Sequence, residues 1–123
     1  MEQDVHELIN AHRAGLGLAA LEWKESIAVQ CRNHSNSMAE SGNISHDGVD
    51  ERISNLRTTF SFNGWAENAA YNRSAQGAVQ SWLNSTGHRN NIEGGYNLTG
   101  VGVALRGDNS YYFTQLFLDE RKR

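Results

Sequence analysis

A chain of 123 residues, 38% apolar and 20% charged, has the make-up of one soluble globular domain with a core of its own. Its formal net charge of -3 and pI near 5.9 argue against a general nucleic-acid binder. No apolar run approaches the ~18 residues of a membrane span, and the single cysteine, Cys31, excludes an internal disulfide framework.

The opening Met1-Glu2-Gln3-Asp4 has neither a basic nor an apolar region, so it does not read as a signal peptide. A mature domain behind a new Met would look the same. Val5, Leu8, Ile9 and His12 share one face of a first helix, which Gly15-Leu16-Gly17 ends. Leu18, Leu21 and Trp23 form an apolar connector. A second helix is expected from about Lys24 to Ser41, stopped by Gly42, with Ile27, Cys31, His34 and Met38 on its apolar face. On that face His34 reads as a satisfied core residue, and Cys31 as a buried apolar thiol. Asn43 to Gly48 is turn-like and exposes His46. A short helix over Asp50 to Leu56 follows.

Thr58 to Phe62 is β-prone, and Asn63-Gly64 is a turn signal. Beyond it, Glu67 and Asn68 sit among apolar neighbours, where an acid must be solvated, hydrogen-bonded or paired. Ala75, Ala78, Val79 and Trp82 recur at helical spacing, which makes Trp82 a core anchor. Gly87 is a stop signal for that helix, and Ser85 or Thr86 could cap a further turn carrying His88 to Ile92. The last third changes period. Val101, Val103 and Leu105 alternate with Gly100, Gly102 and Ala104, and Tyr111 to Leu118 alternates in turn. With a turn at Arg106 to Asn109 they form a hairpin, whose small face lets a helix or a ligand approach closely. We expect this hairpin at the centre of a sheet with helices on both faces. One domain is expected over residues 1–118, with 119–123 a charged tail.

His46, Glu67 and His88 thus lie on three separate loops or element ends. Two imidazoles and a carboxylate suit a divalent metal site or general acid–base work. No HxxxH or CxxC pair is present, so spacing alone does not establish a metal. Ser85 and His88, three residues apart on a helical turn, could also approach each other as nucleophile and base.

Taken in order, these residues resemble the CAP superfamily of cysteine-rich secretory, antigen 5 and pathogenesis-related proteins. Ile9-Asn10 with Arg13, then Leu18 to Trp23, is similar to its opening helix and connector. Ala28, His34-Ser35 and Met38-Ala39 resemble its second helix. Ala66-Glu67-Asn68 resembles its G-E-N element, with Ala66 in place of glycine. Trp82 with Ser85-Thr86-Gly87-His88-Arg89-Asn90-Asn91-Ile92 resembles the bacterial W-x-x-S-P-G-H-R-x-N-I, with Thr86 in place of proline. Gly100 to Val103 and Phe113-Thr114-Gln115 resemble the closing strands.

The resemblance implies an α+β fold, a three-layer α-β-α sandwich with a central antiparallel sheet and a polar cleft above it. It implies a cleft of His46, Glu67, Asn68, Ser85, His88 and Tyr112. In eukaryotic members two histidines and two glutamates can hold zinc. Here His46 and Glu67 match one of each, while Ser85 and Tyr112 stand at the other two positions. His46 and His88 are then the expected metal ligands, giving weak binding of zinc or another divalent cation. The family is mostly secreted, which implies a secreted or envelope-associated binding module. The partner at the cleft is left open among a small ligand, a lipid and a protein. No membrane span is expected, and the chain is read as a monomer. A protease-like hydrolase assisted by a metal or by Glu67 or His88, and a non-catalytic interaction scaffold, are the alternatives.

Overall fold

The alternation in the last third of the chain builds the centre of the molecule. In the computed structural model, which describes residues 1–107 and 109–121, strands β3 (Leu98–Arg106) and β4 (Ser110–Glu120) pair antiparallel throughout. Two further strands flank them, β1 (Glu22–Trp23) beside β3 and β2 (Phe62–Asn72) beside β4, in the order β1-β3-β4-β2. The hairpin is therefore central, as its two unlike faces predict. The sheet is not wholly antiparallel, because the short β1 runs parallel to β3. The connector from the first helix enters the sheet in the same direction as β3, which a helical crossover then permits.

Five helices cover the two faces: α1 (Glu2–Gly15), α2 (Glu25–Ser41), α3 (Val49–Leu56), α4 (Ala75–Leu83) and α5 (Thr86–Ile92). One face of the sheet presents Val101, Phe113 and Phe117 to α1, α4 and α5, where Ile9, Val79, Trp82 and Ile92 complete a core. The other face presents Leu98, Leu116 and Leu118 to Ile27 and Cys31 of α2 and to Ile53 and Leu56 of α3. The architecture is the expected α-β-α sandwich. Gly100 and Gly102 lie against α2 so closely that a Cβ on either would meet the helix backbone at Ile27–Ala28 or Cys31–Arg32. The small face of β3 serves a helix, not a ligand.

Three local expectations change. Residues 57–59 form a turn, and β2 starts at Phe62 and continues through Asn63 and Gly64, with a register shift between Phe62 and Trp65. The Asn-Gly pair absorbs a bulge, because the alternating residues after it pair with β4 along their whole length. Gly87 does not stop α4, which ends at Leu83; it lies in the first turn of α5, which starts after the extended Ser85. Finally, β4 runs on to Glu120, two residues past the expected domain end, so of the expected tail only Arg121 is described beyond it. Lys122, Arg123 and Asp108, the last within the expected turn, lie outside the described residues.

Trp82 is 1% exposed, and its indole N–H donates to the Ala69 carbonyl at 3.0 Å. It anchors the core and also covers a backbone acceptor of β2. Cys31 is fully buried, its thiol 3.4 Å from the Gly100 carbonyl, and burial pushes its pKa well up. It is an inert packing group.

Candidate functional site

The site grows from the edge strand. Successive residues of a strand point to opposite faces, so Glu67 and Asn68 of β2 serve the two helical layers separately. Glu67 faces the α2–α3 layer. Its side chain is 1% exposed, and a buried carboxylate must be paired. Arg52 of α3 supplies the pair: Nε donates to Oε2 at 2.9 Å and Nη2 to Oε1 at 2.8 Å. This is the planar, two-pronged geometry that suits guanidinium and carboxylate. The third guanidinium nitrogen, Nη1, donates to the Asp47 carbonyl at 2.7 Å, which ties α3 to the preceding loop.

His46 sits on that loop, its side chain 53% exposed, with Nδ1 2.8 Å from Glu67 Oε1. A carboxylate only accepts, so Nδ1 carries the proton and donates it. The contact fixes the tautomer and leaves Nε2 with its lone pair facing outward. His34 of α2 braces the loop from beneath. It is 4% exposed, as a satisfied core histidine should be, and its Nε2 lies 2.6 Å from the Ser45 carbonyl. Burial is the main cause of its lowered pKa, so its ring is neutral at pH 7.

On the opposite layer Asn68, fully buried, locks α5 to the strand. Its amide donates to the His88 carbonyl at 3.1 Å, and its oxygen accepts from Asn91 at 2.8 Å. His88 Nδ1 lies 2.9 Å from the Ser85 hydroxyl. Ser85 is the N-cap of α5, yet its side chain makes no capping hydrogen bond. The hydroxyl orients the imidazole instead. Burial lowers the pKa of His88, and the charge of His46 lowers it further. The two rings thus belong to loops on opposite sides of β2.

Tyr112 of β4 pairs with Tyr71 of β2. It is 4% exposed, and its ring packs on Tyr71 with centroids 4.7 Å apart. Two hollows border the segment from Gly42 to Gly48. One, of about 590 Å³, lies between α2 and α3 and is lined among others by His34, Ser45, Asp47 and Arg52. The other, of about 400 Å³, lies over Tyr71 and Tyr112.

A family model described as the cysteine-rich secretory protein family, CAP, matches residues 6–117. The chain belongs to the CAP family. It is 36% identical over 124 residues to a Bacillus subtilis (strain 168) protein named as the uncharacterized membrane protein YlbC, covering 95% of this chain and 34% of that one. The chain thus spans about a third of that relative. It is also similar, at 30% identity and a TM-score of 0.83, to the structure of an extracellular protein containing an SCP domain from Bacillus anthracis, covering 97% of this chain and 40% of that one. An outer surface protein from Borrelia burgdorferi shares the fold, with a TM-score of 0.85 at 23% identity over 97% of this chain and 92% of that one. Among the described residues no helix is long and apolar enough to cross a membrane.

The donor set does not fit the four-ligand zinc centre known in eukaryotic members. Both oxygens of Glu67 are already engaged by Arg52 and His46. Ser85 and Tyr112 occupy two of the four positions. Among the described residues no group of three or more His, Cys, Asp or Glu is placed to hold a metal ion. Arg52 is the residue that the sequence reading missed. Its signal was present: Val49, Arg52, Ile53 and Leu56 recur at helical spacing, so the helix aims a cation inward. A buried cation requires a buried anion, and Glu67 was the unpaired acid in sight.

Proposed function

We propose that this CAP domain is an extracellular or envelope-associated binding module whose recognition cleft runs across the edge of β2, between His46 and His88. One observation supports it above others: Arg52 and His46 engage both oxygens of Glu67, so the carboxylate acts as a support for His46 and not as a free base. What faces the ligand is His46 Nε2, His88 and the surrounding hydroxyls and amides. A divalent ion would meet two imidazole nitrogens and water there, a donor set for weak binding only. The names of the extracellular and outer-surface structures that it resembles support the location.

Zinc titration by calorimetry at pH 7.5 and 5.5, on the parent and on His46→Ala and His88→Ala, tests the cleft. We expect weak heat at pH 7.5. It should vanish at pH 5.5, because protons compete for the nitrogens, and in each variant. Equal heats at both pH values, or a variant that binds as well as the parent, would remove the ion from the proposal. The cleft would then remain as a polar recognition surface.

The Ser85–His88 contact favours a second reading, a serine hydrolase. A neutral imidazole 2.9 Å from a hydroxyl can take its proton. Labelling with a fluorophosphonate probe, lost in both Ser85→Ala and His88→Gln, is its expected signature. An unlabelled parent protein would dismiss it.

A further inference from the structure

Asn63-Gly64 is the one Asn-Gly pair in the chain, and neither the core nor the cleft uses it. It lies inside β2 and not in a turn. The register nevertheless leaves it out. Phe62 pairs with Glu120 and Trp65 with Leu118, so Asn63 and Gly64 together face the single residue Asp119. That is a bulge, where the ladder is locally disrupted and regular pairing no longer holds the backbone. Asn63 is exposed, and none of the described residues hydrogen-bonds its side-chain amide. Gly64 has room as well. A Cβ there would meet Asp119 and Tyr96 at 3.7 and 3.8 Å, which are ordinary contacts, and its φ is not positive.

An asparagine amide is open to attack by the backbone nitrogen of the residue that follows it. That nitrogen loses its proton to hydroxide, and its electron pair forms a bond to the asparagine Cγ. The Cγ–Nδ2 bond breaks, and the nitrogen released takes up a proton and departs as ammonia. A five-membered succinimide remains. Water then opens the ring at either carbonyl, giving aspartate or, with the main chain rerouted through the side chain, isoaspartate. Two features of a folded chain oppose this. A side chain on the following residue crowds the attacking nitrogen, and a regular ladder holds the asparagine extended, with that nitrogen turned away from Cγ. Glycine removes the first obstacle, and the bulge relieves the second. Asn68, on the same strand, meets both: Ala69 follows it, and it is fully buried with its amide engaged at both ends.

We propose that Asn63 is a site of spontaneous modification, at which the folded domain converts to aspartate and isoaspartate through a succinimide formed with Gly64. Each event replaces a neutral amide by a carboxylate, in a chain whose formal net charge is already -3. The isoaspartate product also lengthens the backbone by one carbon, in the stretch where β2 already carries more residues than β4. The pairs that place Glu67 and Asn68 begin beyond it, at Trp65. The domain therefore ages into a more acidic form at a point that the register of the cleft does not depend on.

The test incubates the folded protein at pH 7.5 beside a peptide spanning residues 61–66 and beside the Gly64→Ala variant. Peptide mapping by mass spectrometry follows conversion at each asparagine, and isoaspartate is measured separately with isoaspartyl methyltransferase. Position 63 should convert first, ahead of the Asn-Ser pairs at Asn36, Asn84 and Asn109. Its rate should lie within roughly tenfold of the peptide's, because a bulge opens at little cost. Gly64→Ala should slow it by about tenfold or more, and the room at Gly64 lets that variant fold. The comparison of parent protein with peptide decides the question even where the variant fails to fold. A folded protein that keeps Asn63 while the peptide is converted would overturn the proposal. So would earlier conversion at another asparagine, or a product free of isoaspartate, which is the mark of direct hydrolysis.

Discussion

Arg52→Ala should destabilise the protein more than any substitution at the exposed histidines. The Arg52 and Glu67 side chains are 9% and 1% exposed, and their two N–H···O contacts are 2.8 and 2.9 Å long. Removing the guanidinium leaves a carboxylate without water and with His46 as its remaining side-chain partner. Breaking a buried pair from one side costs about 3–5 kcal/mol. We expect a loss of about 3 kcal/mol, since the His46 hydrogen bond to the carboxylate remains. For a domain of this size that lowers Tm by roughly 10–15 °C. Urea and thermal melts at pH 7.5 measure both quantities. Replacing the pair together, with Arg52→Met and Glu67→Leu, removes the unpaired charge as well as its partner and should recover to within about 1 kcal/mol of the parent. His46→Ala should cost less than about 1 kcal/mol, because that ring is half in water. An Arg52→Ala variant as stable as His46→Ala, or a double variant as unstable as the two single ones added together, would refute this account of Glu67.

Other expectations follow from the packing and from the buried histidines. Trp82→Ala should cost about 3–5 kcal/mol, and Trp82→Phe about 1–2 kcal/mol for the Ala69 carbonyl left without its donor; a melt unchanged by either would contradict the placement of the indole. Gly102→Ala should cost about 3 kcal/mol, because its methyl meets the α2 backbone and not a movable side chain; a Tm within error of the parent would show that α2 lifts freely. His34 and His88 both have lowered pKa values in the folded state. The unfolded chain therefore binds more protons below about pH 6.5, and stability should fall as pH drops from 7.5 to 5.5. His34→Gln should reduce the stability lost between those pH values, and an unchanged pH dependence in that variant would sink the argument.

Much of the fold was legible because periodicity reports on a whole element. The helices carrying Ile9, Cys31 and Trp82 each present a long apolar face, and the β3 alternation of glycine with valine identifies the strand that must lie under a helix. Asn63-Gly64 misled because a turn signal is local, while the pairing of Trp65 to Tyr71 with β4 is not. The site was legible by residue but not by role. Glu67 among apolar neighbours announced that it needed a partner, but choosing Arg52 required knowing that α3 lies over β2. Tyr112 was named for the cleft from a family position alone, and its packing on Tyr71 was not legible in the sequence. The Ser85–His88 contact was within reach of sequence, because residues three apart meet on a helical turn.

The position of the cleft follows from the sheet order. The two layers of helices are separated by β3 and β4 over most of the molecule, so a loop from one layer can reach a loop from the other only around an edge. β1 has two residues and offers no such length, while β2 has eleven. Adjacent residues of β2 then serve opposite layers: Glu67 holds Arg52 and His46 on one side, and Asn68 holds His88 and Asn91 on the other. A slip of one residue would exchange them. It would bury the carboxylate against α5, whose arginine, Arg89, is exposed to solvent, and leave Arg52 facing an amide. The pairs Glu67↔Leu116 and Asn68↔Gln115 therefore set the chemistry of the site as well as the register of the sheet. The irregularity between Phe62 and Trp65 takes up the mismatch outside that stretch, where no cleft residue depends on it.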